Sequence, residues 1–193
     1  MVSILEEMEE YAAKNNIPIM MKDGIEFLTK YIEDHHIKNI LEIGTAIGYS
    51  SIKMALVSSD IHVTTIERDE VRYEEAVKNI KKANLEKQID VILKDALDVE
   101  LNDTYDLIFI DAAKAQYIKF FEKYKIYLNK NGVIVSDNLN FHGLVHSKEP
   151  IESRNVRGLV RKLNNYIEFL QNNLEFDTTF YELGDGVSVS IKK

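Results

Sequence analysis

The chain has no cysteine, which excludes disulfides, thiolate metal sites and cysteine nucleophiles at the outset. It has only two prolines and eight glycines and no low-complexity stretch, which argues against a flexible linker or a disordered tail. No apolar run approaches about 20 residues, and no charged-then-apolar leader opens the chain. The sequence therefore reads as neither membrane-spanning nor exported, and as cytoplasmic. Basic residues are also in deficit, 24 Lys+Arg against 32 Asp+Glu, for a formal net charge of −8. The deficit is uneven. Residues 1–110 hold 12 Lys+Arg and 22 Asp+Glu, whereas residues 111–193 hold 12 and 10. The overall charge weakens non-specific binding to RNA, yet a local basic patch in the second half remains able to grip a phosphate backbone. At 193 residues the chain fits one domain, with N-terminal helices over 1–36 and a core over 37–193.

What is present is organised around Ile40 to Ser51. Ile37, Ile40, Leu41 and Ile43 predict a short buried strand, and helical spacing resumes from Tyr49 to Leu56. Gly44 to Gly48 is then a tight strand-to-helix turn. Glycine lets the backbone approach a ligand closely, and the helix aims unpaired N–H groups at it, favouring a carboxylate or phosphate. A dinucleotide fold wants G-x-G-x-x-G, but this chain has Glu42-x-Gly44-x-Ala46-x-Gly48, with an acid two residues before the first glycine. That spacing resembles motif I of S-adenosylmethionine-dependent methyltransferases, in which the acid lies near the methionyl ammonium. The next strand, Ile61 to Ile66, ends in Glu67, 23 residues after Gly44, where a carboxylate can take both ribose hydroxyls. A structural glycine turn is the plainer alternative for the motif, and Glu67 weighs against it.

The rest of the chain alternates. Residues 3–15 and 22–36 read as helices joined by Ile17-Pro18-Ile19-Met20-Met21, an apolar connector that can simply pack on the sheet. A helix over Asp69 to Ala83 precedes a strand from Ile89 to Leu93, closed by Lys94-Asp95-Ala96. There a carboxylate and the next N–H can read an adenine edge, or Asp95 can cap a turn. The strand Tyr105 to Ile110 delivers Asp111-Ala112-Ala113-Lys114, and a helix through Tyr117, Phe120, Phe121 and Tyr124 follows. The strand Gly132 to Ser136 ends in Asp137-Asn138. A loop over 139–150, a helix from Ile151 to Asn173 and strands Thr178 to Leu183 and Val187 to Ile191 around Gly184-Asp185-Gly186 complete a mostly parallel α/β sheet with a terminal hairpin.

Asp111, Asp137 and Asn138 fall at the carboxyl ends of two strands expected to be neighbours. Two carboxylates and an amide oxygen make an all-oxygen set suited to a hard cation, Mg²⁺ first, with Ca²⁺ or Mn²⁺ as alternatives. Taken singly, each aspartate can instead cap the next turn. Lys114 is either a base near that cation or an ordinary solvated lysine. Over nearly its whole length the sequence resembles the divalent-cation-dependent O-methyltransferases of catechol and caffeoyl-CoA. Pro18-Ile19-Met20, Leu41 to Ser50, Tyr73 to Val77, Ile110 to Lys114 with Gln116-Tyr117, and Gly143-Leu144-Val145 resemble the bacterial tRNA 5-hydroxyuridine methyltransferases more closely still. The resemblance implies a class I (Rossmann-like) methyltransferase fold with a seven-stranded, mostly parallel sheet and a C-terminal antiparallel hairpin. It assigns Met20, Glu42, Gly44, Gly48, Ser50, Glu67, Asp95, Ala96 and Asp111 to S-adenosylmethionine, and Asp111, Asp137 and Asn138 to Mg²⁺. Lys114 and Asp111 become the catalytic pair, a homodimer is expected, and an N-terminal extension of longer relatives is not in this sequence. The implied acceptor is wobble 5-hydroxyuridine in a tRNA anticodon loop, stacked on Tyr117 or Phe141, with a small phenol as the alternative. Arg154, Arg157 and Arg161 share one helix face and are the candidate phosphate contacts, unless they are only a solvated face. No role is assigned to His142.

Overall fold

The computed structural model describes residues 3–141, 143–145 and 151–193. The first helix, α1 (Ile4–Asn15), begins where Ser3 and Glu6 exchange side-chain and backbone hydrogen bonds, which satisfies two otherwise unpaired amides of its first turn. α2 (Lys22–Asp34) buries Ile25, Leu28 and Ile32, three or four residues apart on one face. Strands and helices then alternate: β1 (Asn39–Ile43), α3 (Tyr49–Ala55), β2 (His62–Glu67), α4 (Glu70–Lys82), β3 (Ile89–Leu93) and β4 (Tyr105–Ile110). They are followed by α5 (Tyr117–Tyr124), β5 (Leu128–Ser136), α6 (Arg154–Gln171), β6 (Phe176–Tyr181) and β7 (Val187–Lys192).

The strands form one seven-stranded sheet in the order β3-β2-β1-β4-β5-β7-β6. The first five run parallel, and β7 pairs antiparallel with both β5 and β6. The expected mostly parallel sheet with a terminal antiparallel hairpin is therefore present. The order reverses between β1 and β4, and the crevice outside such a reversal is where α/β sheets hold ligands. Alternation along each strand feeds two cores. Ile40, Val63, Leu107, Phe109, Val133 and Val135 pack with the buried residues of α1, α2 and α3. Leu41, Ile43, Ile108, Ile110 and Ile134 pack with those of α5 and α6.

Several element boundaries differ from expectation. α2 stops at Asp34. The Ser153 hydroxyl accepts the Val156 N–H and caps α6, so Ile151 and Glu152 precede the helix instead of opening it, and it ends at Gln171. β5 begins at Leu128, ahead of Gly132, and β6 runs from Phe176 to Tyr181. His142 and positions 146–150 of the expected loop lie outside the described residues. Among the described residues no helix is long and apolar enough to cross a membrane.

Candidate active site

The carboxyl ends of β1 to β4 open on a cleft of about 310 Å³. The turn after β1 forms its floor. Gly44 has a φ of +105°, and a Cβ there would lie 2.1 Å from the Asp111 carbonyl oxygen, so the two strand ends can converge only at a glycine. Ala46 also takes a positive φ, +47°, and its N–H donates to Glu67 Oε2 at 2.9 Å, which holds the turn in that shape. Gly48, with φ +85°, lies against Ala76 of α4 and is not part of the cleft wall.

Glu42 is not on the wall either. Alternation turns it to the α3 side of the sheet, where it is fully buried and accepts hydrogen bonds from the hydroxyls of Ser50, Ser51 and Thr65. Thr45 joins the same network through the Thr65 hydroxyl at 2.6 Å. Burial pushes the Glu42 carboxyl up to about 7 against the opposing pull of those three donors. The acid of the motif thus acts from beneath the turn. Ser50 is the partner that lines the cleft. Met20, Gly44, Ser50, Glu67, Asp95, Ala96 and Asp111 share the cleft wall, whereas Glu42 and Gly48 stand behind it.

Glu67 is 7% exposed at the end of β2 and takes three main-chain donors: Ala46 N–H on Oε2, and Arg68 and Asp69 N–H on Oε1, each at 2.9 Å. A carboxylate offers about four acceptor positions, so roughly one remains, on Oε2, where two ribose hydroxyls had been expected to share the group. Asp95 caps a turn and also lines the cleft. Its Oδ1 accepts the Leu97 N–H at 2.9 Å and starts a short 3₁₀ turn, while its side chain also faces the cleft and pairs with Arg68 at 3.5 Å. The Ala96 carbonyl accepts the Tyr124 hydroxyl at 2.5 Å, which fixes the wall from behind.

At the ends of β4 and β5, Asp111, Asp137 and Asn138 come together. The Asn138 amide donates to Asp111 Oδ1 at 2.9 Å and to Asp137 Oδ2 at 3.0 Å, with Asn138 held at φ +63°. Burial raises both aspartic carboxyls, and Asp111 adds repulsion to Asp137, to which buried Asp185 of the β6–β7 turn contributes as well. Lys114 and the Asn138 amide offset part of the effect at Asp111. Asp137 Oδ1 is buried with no hydrogen-bond partner among the described residues. No three His, Cys, Asp or Glu side chains gather around one point among the described residues, so the donor set is two carboxylates and one amide. Lys114 lines the cleft with its Nζ 5.8 Å from the centre of the Phe141 ring.

One sequence reading is corrected here. Tyr117 is 1% exposed, donates to the Asp137 carbonyl at 3.1 Å and meets Tyr166 edge to face, so it supports the segment after β5 from the core and cannot stack on a base. The three arginines of α6 are exposed and outside the cleft, and Arg157 is engaged locally, donating to the carbonyls of Ile151 and Glu152 at 2.6 and 2.7 Å. Sequence reasoning also missed three cations on the cleft wall, Arg68, Arg72 and Lys94. The signal for them was the position of Arg68 and Lys94 directly after the ends of β2 and β3.

This sheet order and cleft are those of class I S-adenosylmethionine-dependent methyltransferases, and solved structures agree. A Staphylococcus aureus structure provisionally assigned as a caffeoyl-CoA O-methyltransferase is 42% identical with a TM-score of 0.94, covering 100% of this chain and 93% of that one. The Bacillus cereus O-methyltransferase solved in complex with SAH is 28% identical with a TM-score of 0.84, covering 100% and 92%. A catechol O-methyltransferase of Niastella koreensis is 31% identical over 81% of this chain and 74% of its own length. The sequence profile of the O-methyltransferase family matches residues 1–193, and the chain belongs to that family.

Proposed function

We propose that the protein methylates the 5-hydroxyl of 5-hydroxyuridine at the wobble position of a tRNA anticodon loop, giving 5-methoxyuridine, with S-adenosylmethionine as donor and a divalent cation as cofactor. The observation that carries the reading is the meeting, in one cleft, of a main-chain-fixed carboxylate at the end of β2 with Asp111 and Asn138 at the ends of β4 and β5, Asp137 lying off the cleft wall and bonded to Asn138. Glu67 Oε2 accepts a ribose hydroxyl, Asp95 and the Ala96 N–H take the adenine edge, and Met20 and Ser50 border the methionyl end. S-adenosylmethionine supplies the electrophilic methyl group.

The residues fit a hard cation. Asp137 has a buried oxygen without a hydrogen-bond partner among the described residues, Asp111 lies within reach of the same amide, and a half-turn of that amide offers a third oxygen. Mg²⁺, Mn²⁺ or Ca²⁺ held there supplies Lewis-acid stabilisation of charge on the acceptor oxygen. Lys114, on the same wall, takes the hydroxyl proton when it is in its neutral amine form, as the oxygen–carbon bond forms and the sulfur–carbon bond breaks. Phe141, half-buried beside Lys114, offers the stacking surface for a splayed base. Two features support RNA. The stretches that resemble the tRNA enzymes, including Pro18 to Met20, Gly44 to Ala46 and Asp111 to Lys114, stand on the cleft wall, and Arg68, Arg72 and Lys94 give its rim cations for phosphate. Arg154 and Arg161, exposed on α6 outside the cleft, are further candidates for phosphate; Arg157 is a poorer probe because reversing its charge also frees the carbonyls of Ile151 and Glu152.

A second reading keeps the site and takes a catechol-like or caffeoyl-CoA-like phenol, which also presents adjacent oxygens. It is favoured by relatives such as the Niastella catechol enzyme and a caffeoyl-CoA O-methyltransferase of Populus kitakamiensis, 29% identical over 94% of this chain and 80% of its own length. Mass spectrometry of methyl transfer to a 5-hydroxyuridine anticodon stem-loop, catechol and caffeoyl-CoA separates the two. A kcat/KM for the stem-loop about 100-fold above either phenol is expected. The reverse order would assign the enzyme to phenols.

A further inference from the structure

We propose that Asp23 is a positioning residue that joins the cofactor wall of the cleft to the loop carrying Asp137 and Asn138, through the turn between β6 and β7. The inference rests on the reading above for what the two walls hold, and on geometry alone for the bridge.

The bridge begins in the first turn of α2. Asp23 Oδ2 accepts the Gly184 N–H at 2.8 Å across 161 residues of sequence, and its Oδ1 accepts the Gly24 N–H at 3.1 Å. Those bonds hold its carboxyl below the ordinary range. Gly24 is in turn the surface on which Met20 rests: a Cβ at Gly24 would lie 3.1 Å from the Met20 Cε and 4.0 Å from the Gly184 Cα. Met20 lines the cleft. Its place on the wall is therefore set by how close α2 sits to the hairpin turn.

The other half of the bridge is main chain. Asn140 N–H donates to the Asp185 carbonyl at 2.7 Å and Leu139 N–H to the Gly186 carbonyl at 3.0 Å. Gly186, at φ +87°, sits so close that a Cβ would lie 2.8 Å from the Asn140 nitrogen. Leu139 and Asn140 directly follow Asn138. A shift of the hairpin turn must therefore move the segment that carries the two oxygen donors after β5; Asp23 supplies the side-chain hydrogen bond from α2 to this turn, while Phe27 of α2 packs on Tyr181 at the end of β6. No such tie is needed to build the helix, since neither Asp23 bond caps α2, whose N-cap Met21 makes no side-chain hydrogen bond.

The test is amide hydrogen exchange on the ligand-free chain, wild type against Asp23→Ala and Asp23→Asn, followed by kinetics. In Asp23→Ala the Gly184, Leu139 and Asn140 amides should exchange about tenfold or more faster, while amides of β1 and β4 keep their protection. Steady-state assays with catechol as probe acceptor should show KM for S-adenosylmethionine raised and half-saturation by Mg²⁺ moved to higher concentration together. Asp23→Asn, which keeps an oxygen acceptor for Gly184, should restore both. If Asp23→Ala melts too early to assay, Asp23→Ser, too short to reach Gly184, carries the same expectation. Acceleration confined to Gly184, or an Asp23→Asn variant as impaired as Asp23→Ala, overturns the bridge. Wild-type protein inactive on every acceptor would instead overturn the proposed function and leave the exchange result standing.

Discussion

Glu67 and Asp137 are both buried carboxylates at the carboxyl end of a parallel strand, and the protein treats them in opposite ways. Glu67 is wrapped by three main-chain N–H groups, with an acceptor position left facing the cleft. Asp137 receives one amide hydrogen bond on Oδ2, has an unpartnered Oδ1 among the described residues, and is crowded by Asp111 and Asp185. A carboxylate satisfied by the main chain is a fixed acceptor, suited to a neutral hydroxyl. One pressed against other carboxylates has its charge uncompensated by the fold, and a cation is the partner that answers this. Under the proposed function, the two sites therefore recognise by different physics, preformed hydrogen bonding at Glu67 and charge at Asp137.

Removing the Asp137 carboxylate should have the largest effect. Asp137→Ala is expected to lower kcat about 10³-fold, since several kcal/mol of charge stabilisation go with it. In chelator, Asp137→Asn should melt no lower than wild type and preferably higher, because one of several mutually repelling buried carboxylates is gone. A clear drop in its melting temperature would mean that the acid is held by the fold after all, and the contrast with Glu67 would collapse.

Gly44→Ala tests whether the two ends share one foundation. The added Cβ meets the Asp111 carbonyl at 2.1 Å, so β1 and β4 must part, at about 3–5 kcal/mol by urea denaturation. Both cofactor and cation affinity should fall. Loss of one alone would separate the ends.

Glu42 adds a pH signature to the hydrogen-bonded end. Its carboxyl is raised to about 7, so between roughly pH 4.5 and 7 the folded chain keeps a proton that the unfolded chain has released. Stability from this group is full below that window, declines as pH rises through it, and is flat above, by about 3 kcal/mol in all. Glu42→Gln should remove the decline, which urea titrations at several pH values would show. The smallest expected change is Glu67→Gln, costing about 1–3 kcal/mol because an amide N–H₂ must face main-chain donors. It should also weaken S-adenosylmethionine in calorimetry. Unchanged stability there would deny that the main chain fixes this acceptor.

Much of this was legible in the sequence because it is local. Gly44 and Gly48 mark the turn, alternation and apolar runs mark the strands, and Asp111, Asp137 and Asn138 fall where strands must end. What was not legible depends on contacts between distant segments. Ser50, Ser51 and Thr65 surround Glu42 only once α3 folds over β1 and β2, so its retreat from the cleft has no sequence signal. Tyr117 looked available on an amphipathic helix until Tyr166 of α6 covered it. The start of α6 was misplaced for another reason: Ile151 extends the apolar rhythm, and Ser153 with Val156 three residues on was the capping signal that outranked it.

The place of β7 has a consequence for synthesis. It lies between β5 and β6 although it follows both in the chain. While a ribosome is still making the residues before Val187, β5 presents a bare edge of unpaired N–H and C=O groups, and the segment just after it has no hairpin to lean on. Exposed strand edges of that kind recruit other chains. The nascent protein thus carries Asp137 and Asn138 for about fifty residues of translation before the strand that completes their surroundings exists. Slowing translation across α6 and β6 should lengthen the interval in which this polypeptide is sticky and chaperone-dependent.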